Sequence, residues 1–159
     1  MSDLKQIVTK HTVSTLRGKV VDLCTLDKNE EFKEAVKKEV ERLLLEIPHT
    51  CVLIPAAKAS QRNPLRELVM ELAMMVQLKT IVTGAPENLK RLIYGAPRDV
   101  LLIKQGFKDG DGLKKDIAAT QAQGCNVKVL CFIAHSKAKL DALAAEYNVE
   151  ATALVYLNE

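Results

Sequence analysis

The sequence predicts an α/β domain built on a parallel sheet, with a small appendage at its amino-terminal end. The chain has 159 residues, of which 48% are apolar and 27% charged, which is enough for one folded domain with its own core. Short, continuously apolar segments predict strands that are buried on both faces of a sheet. These segments alternate with stretches whose apolar residues recur every three or four positions, which is the pattern of helices.

Residues 1–26 form the predicted appendage, and residues 27–159 form the predicted α/β core. A helix is expected near Asp3–Lys10. Two short segments, Thr12–Leu16 and Lys19–Cys24, then alternate in the manner of strands and can pair as a hairpin across Arg17-Gly18. The sequence contains no repeat or linker that would divide the chain further, so one domain is expected.

The first core helix is predicted from Asp27 to Ile47. Its apolar residues follow helical spacing: Phe32, Val36, Val40, Leu43, Leu44 and Ile47. Asp27 and Glu30 have the spacing of a capping box at its start, and Pro48 ends it.

The rest of the core continues the alternation to the end of the chain. Further strands are predicted over Thr50–Pro55, Lys79–Thr83, Asp99–Ile103, Val127–Ala134 and Ala151–Leu157. Further helices are predicted from Asn63 to about Gln77, and over Pro86–Ile93, Asp111–Gln123 and Ser136–Tyr147. Asn63, directly before Pro64, is the expected N-cap of the helix that runs to about Gln77. Gly124 is expected to end the helix over Asp111–Gln123.

Several function classes are disfavoured by composition. The longest runs without a charged residue have eleven positions, Ile47–Ala57 and Ile117–Val127, which is too short for a membrane span. The first residues lack the apolar segment of a signal peptide, so a cytoplasmic protein is expected. The four cysteines form no C-x-x-C pair and are expected to be buried, reduced thiols: Cys24, Cys51, Cys125 and Cys131. The three histidines are separated from one another and from the cysteines, so no metal site is expected: His11, His49 and His135.

Positive charge is concentrated in the middle of the chain. Residues 79–115 contain eight basic and four acidic side chains, whereas the whole chain has a net charge of only +3. An anionic ligand is therefore expected to meet this segment, unless the segment is an ordinary solvated face. The same charge leaves a nucleic-acid contact open, although aromatic residues, at 4%, are scarce for stacking on bases.

Two strand-to-helix loops are candidate binding sites, because ligands of open α/β sheets bind at the carboxyl ends of the strands. The first is Ala56–Asn63, which offers three polar side chains and the free N–H groups of a helix start. Its candidate residues for holding an oxyanion are Lys58, Ser60, Arg62 and Asn63.

The second loop follows the apolar strand Val100–Ile103 and leads directly into a helix. It contains three glycines, whose backbone N–H groups can converge on an anion. Two lysines and two aspartates lie in the same segment. The candidate phosphate- or nucleotide-binding residues are Lys104, Gly106, Lys108, Asp109, Gly110, Asp111 and Gly112. The spacing matches neither G-x-G-x-x-G nor a Walker A motif, and a turn without a ligand is the alternative.

The layout from Val100 to Ala134 resembles the type I phosphoribosyltransferases, and among them the orotate phosphoribosyltransferases. In that family an apolar strand leads to two acidic residues, a Thr/Gly-rich loop, a helix of about three turns, and the next strand. Thr15–Leu23 is similar to the F-T-L-K-S-G stretch of the orotate enzymes, and His135–Glu159 to their closing D-R-x-x-G helix and final strand. The resemblance covers nearly the whole chain and depends on the order and spacing of its segments.

The resemblance implies a phosphoribosyltransferase-type sheet, with residues 1–26 as the family's hood. It also implies a phosphorylated sugar or nucleotide as ligand, phosphoribosyl pyrophosphate in the active family, a homodimer, and Mg²⁺ if the protein is active. Ala56–Asn63 takes the place of the pyrophosphate loop, and Arg17 and Lys19 lie on the side of the base.

The sequence departs from the family at the positions that carry the chemistry. Lys104 and Gln105 stand where the family has the acidic pair that holds the ribose hydroxyls, and a lysine cannot accept hydrogen bonds. Lys108–Gly112 replaces the hydroxyl-rich phosphate loop, and His135-Ser136 replaces Asp-Arg. Two functions are therefore open. One is a binding, regulatory or assembly protein with lost or altered catalysis, and the other is an active orotate-type enzyme that transfers ribose 5-phosphate to a base.

Overall fold

The structure, a computed structural model, describes residues 2–16, 18–26, 28–46, 51–54, 64–75, 80–83, 85–91 and 99–158. Its helices are α1 (Ser2–Lys10), α2 (Leu23–Leu26), α3 (Glu30–Glu46), α4 (Pro64–Met75), α5 (Asp111–Gln121) and α6 (Lys137–Tyr147), with a 3₁₀ helix over Pro86–Arg91. Its strands are β1 (Thr12–Thr15), β2 (Gly18–Val21), β3 (Cys51–Ile54), β4 (Thr80–Thr83), β5 (Asp99–Phe107), β6 (Asn126–Ser136) and β7 (Glu150–Asn158).

A five-stranded parallel sheet carries the core, as the sequence predicts. Its strand order is β4-β3-β5-β6-β7. Successive residues of β5 point to opposite faces: Leu101 and Ile103 join a cluster with α1, α3 and α4 on the first face. Val100 and Leu102 join a second cluster with the 3₁₀ helix, α5 and α6 on the other face. Both faces are covered, which explains why these strands are continuously apolar rather than alternating.

Strand β5 is longer than the sequence predicts, and this corrects the expected end at Ile103. The strand continues to Phe107, because Lys104, Gly106 and Phe107 pair in register with residues 131, 133 and 134 of β6. The side chain of Phe107 is buried on the second face. A polar Lys-Gln-Gly sequence carries no strand signal, so only the ladder offered by β6 reveals the extension.

The amino-terminal appendage has the predicted helix and hairpin, with two corrections. Thr15 pairs with Gly18, so the first strand ends at Thr15 rather than Leu16, and the second begins at Gly18 rather than Lys19. The second strand ends at Val21 rather than Cys24, because the chain then forms the short helix α2, in which Leu26 N donates to Asp22 O. The appendage is anchored by α1, whose Val8 is fully buried in the first-face cluster.

Of the six apolar residues that the sequence predicts for the first core helix, five are buried, Phe32, Val36, Val40, Leu43 and Leu44, and Ile47 lies outside the described residues. Helix α3 begins at Glu30. Its cap is Asn29, whose side-chain Oδ1 accepts a hydrogen bond from Phe32 N at 3.0 Å, so the predicted capping box with Asp27 is wrong. Asn and Asp are equally good caps, and the choice between them depends on where the preceding turn ends. In the described part of the chain, no helix is long and apolar enough to cross a membrane.

The cysteines have the predicted state where the structure describes their side chains. Cys51, Cys125 and Cys131 are buried and free. Burial raises the pKa of the Cys51 and Cys131 thiols to about 12 and also raises that of Cys125. Thiols with such pKa values remain protonated at neutral pH and act as packing groups rather than nucleophiles.

Gly110 is required by packing at the start of α5. Its φ of +87° places it in the left-handed region, and its carbonyl accepts a hydrogen bond from Lys114 N at 2.8 Å. A Cβ atom at this position would lie 2.7 Å from Phe107 Cε2 and 3.3 Å from Leu143 Cδ1. Gly112, two residues later, has no such neighbour within 4 Å. The first glycine is therefore structural, whereas the helix does not need the second.

Replacing these two glycines by alanine should have opposite effects on stability. Gly110→Ala should lower the free energy of unfolding by about 1–3 kcal/mol, through backbone strain and a clash with Phe107. Gly112→Ala should leave it unchanged or raise it by up to about 1 kcal/mol, because alanine favours a helix. Chemical denaturation measures both values. Equal effects of the two substitutions would contradict this assignment.

Candidate functional site at the carboxyl end of the sheet

The carboxyl ends of β5, β6 and β7 lie side by side at one edge of the sheet. Phe107 pairs with Ala134, and Ser136 pairs with Asn158, so these three strands end at nearly the same level. Lys108 and Asp109 follow β5, while His135 lies near the end of β6. This edge of a parallel sheet is where ligands bind in open α/β folds.

The predicted phosphate-binding residues do not form one continuous loop. Lys104 and Gly106 belong to β5, and Asp111 and Gly112 belong to the first turn of α5. Only residues 108–110 connect the two elements. The structure therefore places a three-residue connection where the sequence predicts a seven-residue glycine-rich loop over Gly106–Gly112, and that part of the prediction is corrected.

A smaller candidate arrangement remains at the start of α5. Gly110 is the N-cap residue and supplies no side-chain hydrogen bond to the helix, so the first backbone N–H groups of α5 lack a side-chain cap. The exposed Lys108 lies directly before this turn. Free N–H groups, the helix dipole and a lysine are together suited to a phosphate group.

Lys104 forms an ion pair across the second face of the sheet. Its Nζ lies 2.7 Å from Oδ2 of Asp116 on α5, and the two side chains are only 24% and 17% exposed. Replacing only one residue of such a sheltered pair destabilises the protein, because the remaining charge is left without its partner. Sequence reasoning missed Asp116, whose only signal is its place one turn and a half into α5.

His135 lies among charges from two other elements. Burial lowers the pKa of its imidazole below the ordinary value, Lys108 and Lys139 lower it further, and Asp109 raises it. Lys139 Nζ approaches Asp109 Oδ1 at 3.9 Å, although both side chains are well exposed. Lys139 N donates to Ser136 Oγ at 3.3 Å, which caps α6 and directs its first turn toward this edge. Sequence reasoning missed Lys139, which follows Ser136 by the three residues of an N-cap contact.

The other predicted site residues contribute no described side chain to this edge. Lys58, Ser60, Arg62, Asn63 and Arg17 lie outside the described residues. Lys19 lies in β2 opposite Ser14, and only its backbone is described. Asp111 begins α5, and only its backbone is described too. Within the described ranges, no three His, Cys, Asp or Glu side chains form a group that could hold a metal ion.

Solved structures of phosphoribosyltransferases have the same fold as this chain. It superposes on adenine phosphoribosyltransferase from Rhodothermus marinus with a TM-score of 0.64 and 14% identity, covering 99% of this chain and 100% of that one. For orotate phosphoribosyltransferase from Aeropyrum pernix the TM-score is 0.62, the identity 15% and the coverage 97% and 94%.

A third similar structure was solved with a ligand. Orotate phosphoribosyltransferase from Mycobacterium tuberculosis in complex with 5-phospho-alpha-D-ribosyl 1-diphosphate gives a TM-score of 0.60 at 16% identity, with 98% and 95% of the two chains covered. No protein-family model matches the sequence, and no curated protein matches it. At such identities the superpositions show the fold, which is the phosphoribosyltransferase type that the sequence predicts. A function has to be argued from the site residues themselves.

The charges around His135 predict how its titration responds to substitution. Its pKa should lie below the ordinary value of about 6.5. Lys108→Gln should raise it by removing a cation, and Asp109→Asn should lower it by removing an anion. NMR titration of the imidazole signals measures this, and the chain has only three histidines to assign. Shifts of the opposite sign would show that these side chains do not face His135.

Proposed function

We propose that this protein binds a phosphorylated sugar or nucleotide at the carboxyl edge of its sheet, and that ordinary phosphoribosyl transfer is lost or altered. The observation that carries the proposal is the ion pair between Lys104 and Asp116. It occupies the point where the resembled family keeps the first of two acidic residues. The role that fits best is binding, regulation or assembly on a phosphoribosyltransferase fold.

The chemistry of a ribose explains why this pair matters. The two hydroxyls of the sugar are oriented by side chains that accept hydrogen bonds, and carboxylates accept them well. Lys104 offers three donors and no acceptor, and its charge is already matched by Asp116. Gln105 offers a single amide oxygen in place of a second carboxylate. Loss of two orienting groups typically reduces a rate by on the order of 10³-fold or more.

Mg²⁺ does not fit positions 104 and 105. An oxygen-ligated divalent cation requires carboxylates or other oxygen donors, and a lysine at the first position repels it. Asp109 is a carboxylate near this edge, but its side chain is 71% exposed and approaches Lys139. An active transferase would have to hold the sugar and the metal with residues other than those two. Binding of a phosphate group at α5 does not depend on the metal.

The phosphate group of the ligand is expected at the start of α5. The uncapped N–H groups of the first turn provide donors, and Lys108 supplies the nearest flexible cation. Lys139 adds positive charge on the side of β6, whereas Asp109 opposes it. This balance favours one phosphate over a larger polyanion, whose second phosphate would meet the carboxylate of Asp109.

Reversing the charge of Lys108 tests this site. Calorimetry with phosphoribosyl pyrophosphate, ribose 5-phosphate and common nucleotides should show binding, and Lys108→Glu should weaken it by about 1–3 kcal/mol, the scale of a charge-assisted hydrogen bond. Lys115→Glu, the same charge change at an exposed position further along α5, should have a much smaller effect. If Lys108→Glu binds as tightly as the parent, the phosphate site is elsewhere.

A homodimer is also proposed, on the resemblance to a family whose members form dimers. The expected contact lies near residues 81–93. Light scattering at micromolar concentration measures the mass directly. A monomeric mass would contradict the proposal.

A further inference from the structure

A second polar cleft lies on the first face of the sheet, between the end of α1 and the start of α3. Its volume is about 420 Å³, within the range of sites for small molecules. The described residues that line it are Gln6, Ile7, Lys10, His11, Asn29 and Glu31. None of them belongs to the phosphate site proposed above, so this cleft requires an explanation of its own.

The imidazole of His11 is held in one orientation at the edge of this cleft. The backbone is fixed on both sides, since His11 N donates to Val8 O at 3.1 Å and His11 O accepts from Asp22 N at 2.6 Å. Nδ1 lies 2.9 Å from Thr25 Oγ1, and the hydroxyl of Thr25 donates its hydrogen to Asp22 O at 3.2 Å. With the Thr25 hydrogen assigned to Asp22 O, this network assigns Nδ1 as the donor to Thr25 Oγ1. In the neutral ring Nε2 is then an acceptor that remains for a ligand.

Asn29 has a fixed role for a similar reason. Its Oδ1 accepts a hydrogen bond from Phe32 N, which caps α3. The acceptor end of the amide is therefore engaged with the helix, and the NH₂ group remains as a donor. His11 and Asn29 thus offer the cleft one acceptor and one donor, each with its direction set by the fold.

Two opposite charges line the same cleft without neutralising each other. Lys10 and Glu31 are both exposed, and within the described part of the chain neither forms an ion pair. An anion attracted by Lys10 would be repelled by Glu31. A simple cation attracted by Glu31 would be repelled by Lys10. A small molecule that carries both charges satisfies both side chains.

We propose that this cleft binds a free α-amino acid. Its carboxylate would pair with Lys10 and accept from the Asn29 amide, and its ammonium group would pair with Glu31 and donate to Nε2 of His11. Gln6 adds one more amide, and the half-buried Ile7 provides an apolar wall for the carbon chain. The site is independent of the proposed phosphate site, and no covalent step is involved.

Titration with defined probes tests the class of ligand. The wild-type protein is titrated by NMR with a panel of free L-amino acids, and with acetate and ethylamine at the same ionic strength. The His11 imidazole signals should move saturably, and at least one amino acid should bind about tenfold tighter than either single-charge probe. Absence of saturable binding by every amino acid, or equally tight binding of acetate or ethylamine, would overturn the proposal.

Matched variants test the residues. Lys10→Met and Glu31→Gln should each weaken amino-acid binding by about tenfold or more, the scale of one charge-assisted hydrogen bond. Lys28→Met and Glu34→Gln change the same charges at exposed positions outside the cleft and should leave the affinity unchanged. Equal effects of test and control variants would overturn the assignment. Binding of ribose 5-phosphate should be the same in all four variants, so failure here is distinguishable from failure of the phosphate site.

Discussion

The pairing of β5 with β6 over nearly the full length of both strands determines the shape of the candidate site. The register runs from Asp99 opposite Asn126 to Phe107 opposite Ala134. Because β5 continues to Phe107, only three residues remain before α5 begins. Phe107 then packs beneath Gly110 and beside Leu143, which leaves room for glycine alone at the helix start. The backbone ladder therefore shortens the loop that would otherwise surround a phosphate.

The same ladder determines which charged side chains remain exposed at the carboxyl edge. Lys104 is drawn into the sheet opposite Cys131 and reaches Asp116 on the second face, where both charges are sheltered. Lys108 lies beyond the strand and remains exposed. Of the two lysines that sequence reasoning assigns to one phosphate loop, one is consumed in a structural ion pair. We propose that this edge holds a phosphate group and that positions 104 and 105 no longer orient a sugar diol.

The alternation of strands and helices could be predicted from the sequence because continuous apolar runs and helical spacing are local signals. The apolar face of α3 and the strand at Val127–Ala134 follow from such signals. The extension of β5 over Lys104-Gln105-Gly106 could not be predicted, since polar residues become a strand there only through their partners on β6. The cap of α3 at Asn29 rather than Asp27 depends on the short helix α2, which has no periodic signal.

Some site residues could be predicted from local sequence signals, and others are brought to the site only by tertiary contacts. Lys108 and Gly110 are adjacent to a helix start, and their position at the edge of the sheet follows from the order of elements. Asp116 and Lys139 reach this region across helix–strand contacts that no sequence motif encodes. His11 is an isolated histidine in the sequence, and its defined hydrogen-bonding direction emerges only when Thr25 and Asp22 are brought beside it.

Turnover of phosphoribosyl pyrophosphate is the most direct test of the central claim, that phosphoribosyl transfer is lost or altered while phosphate binding persists. Phosphorus NMR can follow the compound with Mg²⁺ and a panel of purine and pyrimidine bases, including orotate. The structure predicts that pyrophosphate is released far more slowly than about 1 s⁻¹ per protein, the low end of ordinary enzyme turnover. Steady release at or above that rate, with a nucleotide as co-product, would contradict the account.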